Sequence, residues 1–139
     1  MHFVAPVLLA QAFAAASGSE GCIVNVLDQK VRNLNPDFFS YTLSKLALAS
    51  ATELLARVLA PVRVCGVAPG SSLPSADETE DEFLRARRAT TLGRTSTPED
   101  VADAVLFLLR AKAITGEVLT VDGGQHLAWQ TPEVAGIEE

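Results

Sequence analysis

Residues 63–70 read RVCGVAPG and decide the fold class of this 139-residue chain. The run is mostly apolar up to residue 67, and its Pro-Gly pair ends it, which predicts a short strand buried on both faces. Similar runs lie on either side, CIVNVL at 22–27 and EVLTV at 117–121. Strands of this kind are typical of a parallel sheet that helices cover on both sides.

Helical segments alternate with these strands. Residues 4–17 are apolar and alanine-rich, and they predict a first helix. Asn35 is expected to cap a second helix that has Pro36 at its first position and runs to about Leu59. Its apolar stripes would be formed by Leu43, Leu46, Ala47, Leu54, Leu55 and Val58.

Two further segments lie between the second and third strands. Residues 71–92 are rich in charge and predict a loop with a short surface helix. Thr97 is expected to cap a third main helix with Pro98 at its first position. An amphipathic stripe follows, formed by Val101, Ala104, Val105, Leu108 and Leu109. The order α-β-α-β-α-β predicts an α/β fold, a parallel sheet of three strands with helices on both faces.

Composition excludes several classes of function. The chain has 17 acidic and 11 basic residues, a net charge of −6, so it lacks the basic surface of nucleic-acid-binding proteins. No apolar run reaches the roughly 20 residues of a membrane helix. The two cysteines, Cys22 and Cys65, lie in apolar runs without metal-ligand spacing. We therefore predict buried structural thiols and no metal site.

Tyr41 and Lys45 are the residues most suited to chemistry. They lie four residues apart in the second helix and therefore share one face. A nearby ammonium favours the phenolate, so such a pair can give a proton to a carbonyl or an imine near neutral pH. Asp28 follows the first strand, at the same sheet edge as Pro69-Gly70, where doubly wound sheets bind ligands.

Simpler explanations of these residues stay open at this point. Tyr41 and Lys45 could be a surface pair whose stems cover the core. Asp28 could cap a turn or a helix. The acidic residues of 77–82 could form a solvated face.

Four motifs in order along the chain resemble those of the short-chain dehydrogenase/reductase family. YTLSK at 41–45 resembles the Y-x-x-x-K signature, and VCGVAPG at 64–70 resembles a strand ending in Pro-Gly. RTSTPEDVAD at 94–103 resembles the segment G-R-x-x-x-P-E-D-V-A, and LTVDGG at 119–124 resembles the terminal strand and turn. The resemblance covers nearly all of residues 5–127.

The resemblance implies a three-layer Rossmann-type reductase that uses NADP or NAD, with NADP favoured. Tyr41 would be the general acid/base, and Lys45 would hold the nicotinamide ribose and lower the pKa of Tyr41. Both would also contact the cofactor. The nicotinamide side would be lined by Pro69, Gly70, Ser72 and Leu73, and residues 71–92 would be the variable substrate loop.

Two departures from the family pattern bear on the substrate. Asp28 stands 13 residues before Tyr41, where the family usually has a serine, and it resembles the pteridine reductase branch. An ionised carboxylate is only an acceptor, so it suits a protonatable ring nitrogen better than a ketone oxygen. His2 precedes Ala5-Pro6 where the family commonly has an asparagine of a proton relay.

The glycine-rich turn of a dinucleotide fold is absent from the sequence, because Gly18-Ser19-Glu20-Gly21 precedes a strand instead of following one. We therefore expect one partial domain over residues 1–139, equivalent to the carboxyl-terminal half of a reductase. An inactive remnant that serves as a dimerisation or regulatory module is the alternative. The expected setting is the cytoplasm, with a small-molecule substrate, no nucleic acid, no membrane, and a homodimer or homotetramer formed through the first two helices.

Overall fold

A computed structural model describes residues 1–18, 20–34, 38–74 and 79–128. The helices and strands within these ranges, in chain order, are α1 Val4–Ser17, β1 Cys22–Val26, α2 Phe39–Val58, β2 Arg63–Pro69, α3 Glu80–Arg88, α4 Pro98–Arg110 and β3 Val118–Val121. One short 3-10 turn follows β1 at Gln29–Val31 and another follows β3 at Gln125–Leu127.

The three strands form one parallel sheet in the order β1-β2-β3. Val24 of β1 pairs with Cys65 of β2, and Val67 of β2 pairs with Leu119 of β3. Because all strands run the same way, their carboxyl ends meet at one edge of the sheet. The predicted fold class, a parallel three-stranded α/β sheet, is confirmed.

The core lies on both faces of β2, since successive strand residues point to opposite sides. On one face Val64 packs with residues of α1 and α2, and Ala68 packs with Leu48 of α2. On the other face Cys65 and Val67 pack with Leu108 of α4. The sheet therefore has helices on both sides, as the apolar strands predicted.

Two local hydrogen-bond patterns fix the ends of α4. The Thr97 hydroxyl accepts from the amide of Asp100 at 3.2 Å, and the Asp100 carboxylate accepts from the amide of Thr97 at 2.9 Å. This capping box confirms the predicted start of the helix. At the other end, the Arg63 guanidinium donates to the backbone carbonyls of Leu108, Leu109, Ala111 and Ile114.

The second helix differs from the prediction in its start and in its buried face. It begins at Phe39, after Phe38 in a left-handed conformation with φ 56°, whereas the expected Asn35 cap and Pro36 lie outside the described residues. Of the predicted stripe, Leu55 is buried but Leu43, Leu54 and Val58 are exposed. The buried side consists of Thr42, Lys45, Leu48, Ala51, Thr52, Leu55 and Ala56.

Smaller differences concern the strand that decides the fold and the stripe on α4. β2 extends to Pro69, two residues beyond the predicted end, because Pro69 still pairs with Val121 and the next amide, of Gly70, bonds the Val121 carbonyl. Leu109 of the predicted α4 stripe is 43% exposed, so the stripe buries less of the helix than expected.

Candidate active site

Asp28 lies at the carboxyl edge of the sheet, two residues after β1 ends. The amide of Leu27 still bonds the Val67 carbonyl at 2.7 Å, which holds the chain against β2 up to this point. Asp28 Oδ1 then accepts from the amide of Lys30 at 2.8 Å and starts the 3-10 turn. One carboxylate oxygen is thus used locally, as the turn-cap explanation expected, and Oδ2 points to another partner.

That partner is Tyr41. Its Oη donates a hydrogen bond to Asp28 Oδ2 at 2.9 Å, across 13 residues of sequence. Tyr41 lies in the first turn of α2, and helix geometry turns its side chain towards the sheet edge. Two of the site residues predicted from sequence, Tyr41 and Asp28, are therefore in direct contact.

Lys45 lies one turn further along α2 on the same face. Its Nζ donates to the Val26 carbonyl at 2.8 Å and lies 5.7 Å from the centre of the Tyr41 ring. The residue is 9% exposed, and burial lowers the pKa of its ammonium, while the negative charge of Asp28 partly opposes that change. Tyr41, Lys45 and Asp28 thus form one cluster.

The acidity of Tyr41 differs from the sequence expectation. Burial of the ring, the charge of Asp28 and the hydrogen bond to Asp28 all raise the pKa of the phenol, in that order of importance. The net change is upward and not the lowering expected from Lys45, because Asp28 accepts from Oη and disfavours a second negative charge beside it. Tyr41 is therefore protonated at neutral pH and is a weaker acid than an ordinary tyrosine.

A cleft of about 490 Å³ opens beside this cluster. Asp28 and all four residues predicted to face a nicotinamide line it, namely Pro69, Gly70, Ser72 and Leu73. Lys45 borders a neighbouring groove, and Tyr41 is joined to the cleft through its hydrogen bond to Asp28. The structure therefore brings every predicted site residue to one edge of the sheet.

The loop after β2 is fixed by contacts that the sequence did not indicate. The amide of Ser71 donates to Gln125 Oε1 at 3.2 Å, and the hydroxyls of Ser72 and Ser96 share a hydrogen bond of 2.8 Å. A Cβ on Gly70 would lie 2.7 Å from both Gln125 Oε1 and Thr95 Oγ1, closer than real Cβ contacts come. Only glycine fits this position, so the Pro-Gly pair serves packing as well as ending the strand.

His2 is a further residue that the sequence did not place in the site. Its ring lies 5.4 Å from the Tyr41 ring, centre to centre, with the planes at 81°. The only signal in the sequence was its position before Ala5-Pro6, where we expected a departure from the family pattern and not a contact.

The described residues hold neither a membrane-spanning helix nor a cluster of metal-ligating side chains. No helix within them is long and apolar enough to cross a bilayer. Within the same residues, no group of three or more His, Cys, Asp or Glu side chains is arranged to hold a metal ion. Residues 75–78 of the predicted substrate loop lie outside the described residues. The surface helix predicted in that loop is α3, and the Thr79 hydroxyl caps it.

Comparisons with known proteins place this geometry in a family. A family model described as enoyl-(acyl carrier protein) reductase matches residues 2–126. The solved structure of FolM alternative dihydrofolate reductase 1 from Brucella canis, complexed with NADP, is 43% identical with a TM-score of 0.92, over 96% of this chain and 54% of that one.

Two curated relatives extend the comparison. Pteridine reductase 1 of Leishmania tarentolae is 34% identical over 139 residues, covering 89% of this chain and 47% of the relative. The short-chain dehydrogenase/reductase homolog YusR of Bacillus subtilis is 33% identical over 110 residues, covering 78% of this chain and 85% of the relative. The chain spans about half the length of the first curated relatives it matches. The family match and these relatives show that the chain belongs to the short-chain dehydrogenase/reductase family.

Proposed function

We propose that this chain supplies the proton-donating half of an NADPH-dependent reductase, with Tyr41 as the proton donor and Asp28 and Lys45 assisting. The reaction is the reduction of a C=N or C=O bond. The observation that carries the proposal is the 2.9 Å hydrogen bond from Tyr41 Oη to Asp28 Oδ2, at the edge where the Pro69–Leu73 segment lines a cleft. Reduction needs a proton donor at a fixed position, and the hydrogen bond to Asp28 holds Tyr41 Oη at this edge.

A pterin is the substrate class we favour. A ketone oxygen offers only lone pairs, and an ionised Asp28 offers only lone pairs as well, so the two repel. A pterin ring presents N–H groups to a carboxylate and ring nitrogens that accept a proton. The names of two relatives, pteridine reductase 1 and FolM alternative dihydrofolate reductase 1, support the same class.

The residues of the cleft fit the nicotinamide end of the cofactor. The Pro69–Leu73 segment offers backbone polar groups beside apolar surface, and Lys45 uses one of its three N–H groups on the Val26 carbonyl. The sequence carries no glycine-rich turn for the pyrophosphate, so this chain by itself provides only part of a dinucleotide site.

The chain's residues account for the movement of one proton. NADPH, when bound, supplies a hydride to the carbon of the double bond. Tyr41 Oη gives its proton to the neighbouring nitrogen or oxygen, which balances the charge of the hydride. The phenolate left behind is stabilised by the Lys45 ammonium near its ring. Asp28 Oδ2 loses its hydrogen bond when Tyr41 donates to the substrate, and it can then accept from an N–H of the substrate.

The experiment is turnover by the purified 139-residue chain, measured as NADPH oxidation in the presence of a dihydropteridine and, separately, of a simple ketone. We expect oxidation with the dihydropteridine, and a loss of about 100-fold or more in Tyr41→Phe. Glu53→Gln, on the exposed side of α2, is the matched control and should keep full activity. Saturable NADPH binding without Tyr41-dependent turnover, or no NADPH binding at all, would reject an enzyme role for the chain on its own and favour a dimerisation module.

The exposed apolar faces of α1 and α2 support our proposal of a homodimer or homotetramer. Leu8 and Leu9 on α1 are 59% and 69% exposed, and Leu54 and Val58 on α2 are 61% and 77% exposed. Burying such side chains in a second copy gains roughly 1.5–3 kcal/mol for each. Light scattering should show an oligomer that Leu54→Glu dissociates, and a monodisperse wild-type monomer would contradict the proposal.

The remaining assignments follow from the same proposal. We infer one partial domain, equivalent to the carboxyl-terminal half of a reductase. Cys22 and Cys65 are free thiols, as suits a reducing compartment, so we propose the cytoplasm.

A further inference from the structure

His2 joins the amino ends of two helices at the candidate active site. It lies two residues before α1, and its ring meets the ring of Tyr41 in the first turn of α2. The next residue, Phe3, packs against both core clusters on this face of the sheet, and its carbonyl accepts from the amide of Val7 at 3.2 Å. The backbone that carries His2 is therefore held by the core.

The perpendicular arrangement of the two rings is a favourable one. Aromatic rings prefer edge-to-face contacts with centres 4.5–7 Å apart, and the 5.4 Å separation at 81° meets that condition. A ring placed in this way limits the rotation of the partner side chain about its Cα–Cβ bond. Rotation about that bond is the motion that would carry Oη away from Asp28.

The Tyr41 side chain thus has contacts on three sides. Asp28 accepts from its Oη, the Lys45 ammonium lies 5.7 Å from its ring, and His2 packs on the ring from the start of α1. His2 and Lys45 also border one groove of about 670 Å³ on the α1 side of β1. His2 and Asp28 lie outside α2, so their contacts with Tyr41 are not explained by the helix alone.

We propose that His2 is a positioning residue for Tyr41, which shields the phenol from water and holds Oη on Asp28. This inference rests on the proposed function for its importance, because a well-placed phenol matters only if it donates a proton. The effect of His2 on the Tyr41 side chain can be measured without measuring turnover. Burial of the ring is the largest cause of the raised pKa of Tyr41, so removal of the covering ring should make the phenol more acidic.

The test uses the fact that Tyr41 is the only tyrosine in the chain. A ¹³C label on tyrosine gives one phenol signal, and its titration is followed in an Asp28→Asn background, which brings ionisation into an accessible pH range. Tyr41 is faced there by His2, Lys45 and residue 28. We expect His2→Ala to raise the acid dissociation constant of Tyr41 by about threefold over Asp28→Asn alone. His2→Phe keeps a ring at the position and should restore the Asp28→Asn value.

A second measurement keeps the proposal falsifiable if His2→Ala fails to fold. In the wild-type chain, proton–proton cross-relaxation between the rings of His2 and Tyr41 should be observed. Absence of that signal, or identical Tyr41 titrations in the Ala, Phe and parent variants, would overturn the role of His2. A chain that shows the contact but no reductase activity would reject the proposed function and leave the positioning role standing.

Discussion

Replacement of Asp28 by asparagine should make Tyr41 a stronger acid. The substitution removes the negative charge that lies 2.9 Å from Oη and keeps the size of the side chain. In the wild type, burial and Asp28 together raise the pKa of the phenol. Asparagine removes the negative charge at residue 28 but leaves the Tyr41 ring buried, so the pKa of Tyr41 should fall towards its ordinary value.

The size of the effect follows from the distance. Two unit charges about 3 Å apart repel by about 1.4 kcal/mol in bulk water and by about 5.5 kcal/mol at an effective dielectric constant of about 20. Tyr41 is only half-buried, so solvent screens the pair, and a value of about 2 kcal/mol is reasonable. One pKa unit corresponds to about 1.4 kcal/mol, so Asp28→Asn should raise the acid dissociation constant of Tyr41 about 30-fold.

Ultraviolet difference absorbance of tyrosinate follows Tyr41 alone, because no second tyrosine contributes. The wild type ionises only at very high pH, so its titration gives a lower bound on the change. The control is Asp103→Asn, an exposed carboxylate on α4, which packs on the opposite face of the sheet from α2. It should leave the titration of Tyr41 where it is in the wild type. A wild-type Tyr41 that ionises at the ordinary phenol pKa of about 10, or an Asp28→Asn chain that titrates like the wild type, would refute the reasoning.

Two further predictions concern the stability of the fold, one at Gly123 and one at Arg63. Gly123→Ala would drive its Cβ into the carbonyl oxygen of Arg94 and should cost about 2 kcal/mol more than Gly93→Ala, which has a similar positive φ but open space around it. Thermal melts should separate the two variants by about 6 °C, and equal melting temperatures would contradict the packing of this turn. Arg63→Met should cost about 2–3 kcal/mol in urea unfolding, because it removes the charged donors from the carbonyls at the carboxyl end of α4. Arg57→Met breaks only an exposed ion pair and should cost about 0.5 kcal/mol. Equal costs for the two would count against a capping role on the carbonyls of Leu108, Leu109, Ala111 and Ile114.

The order of elements could be predicted because its signals are local. Four consecutive residues determine the start of α4, with Thr97 as the cap and a carboxylate at Asp100. The three strands are short apolar runs, followed by Asp28, by Pro69-Gly70 and by Asp122-Gly123, and each was found within two residues of the expected bounds. Such features depend on near neighbours and not on the tertiary fold.

The buried face of α2 could not be predicted in the same way. The helix has apolar residues on more than one side, so periodicity alone does not tell which side meets the sheet. The side of α2 that packs on the core carries Leu48, Ala51 and Leu55, together with small residues that allow close approach. Leu54 and Val58 are exposed.

The candidate site also has features that the sequence predicted and features that it could not predict. Asp28 and Pro69-Gly70 line one cleft as expected, because parallel strands end at a common edge. The acidity of Tyr41 depends on how deeply the ring is buried and on which atom accepts from Oη. Neither quantity is contained in the spacing of Tyr41 and Lys45, so the direction of the pKa change was wrong.

The most direct test of the central claim is to titrate NADPH into the ¹⁵N-labelled chain and map the amides that respond. We expect saturable shifts at Gly70, Ser72 and Leu73, the residues that line the cleft beside Asp28, and their loss in Lys45→Met. Gly116, in a separate groove between α2 and β3, should not respond. Saturable shifts centred on Gly116, or no saturable shift at any of these amides, would contradict the assignment of this sheet edge as a nicotinamide site.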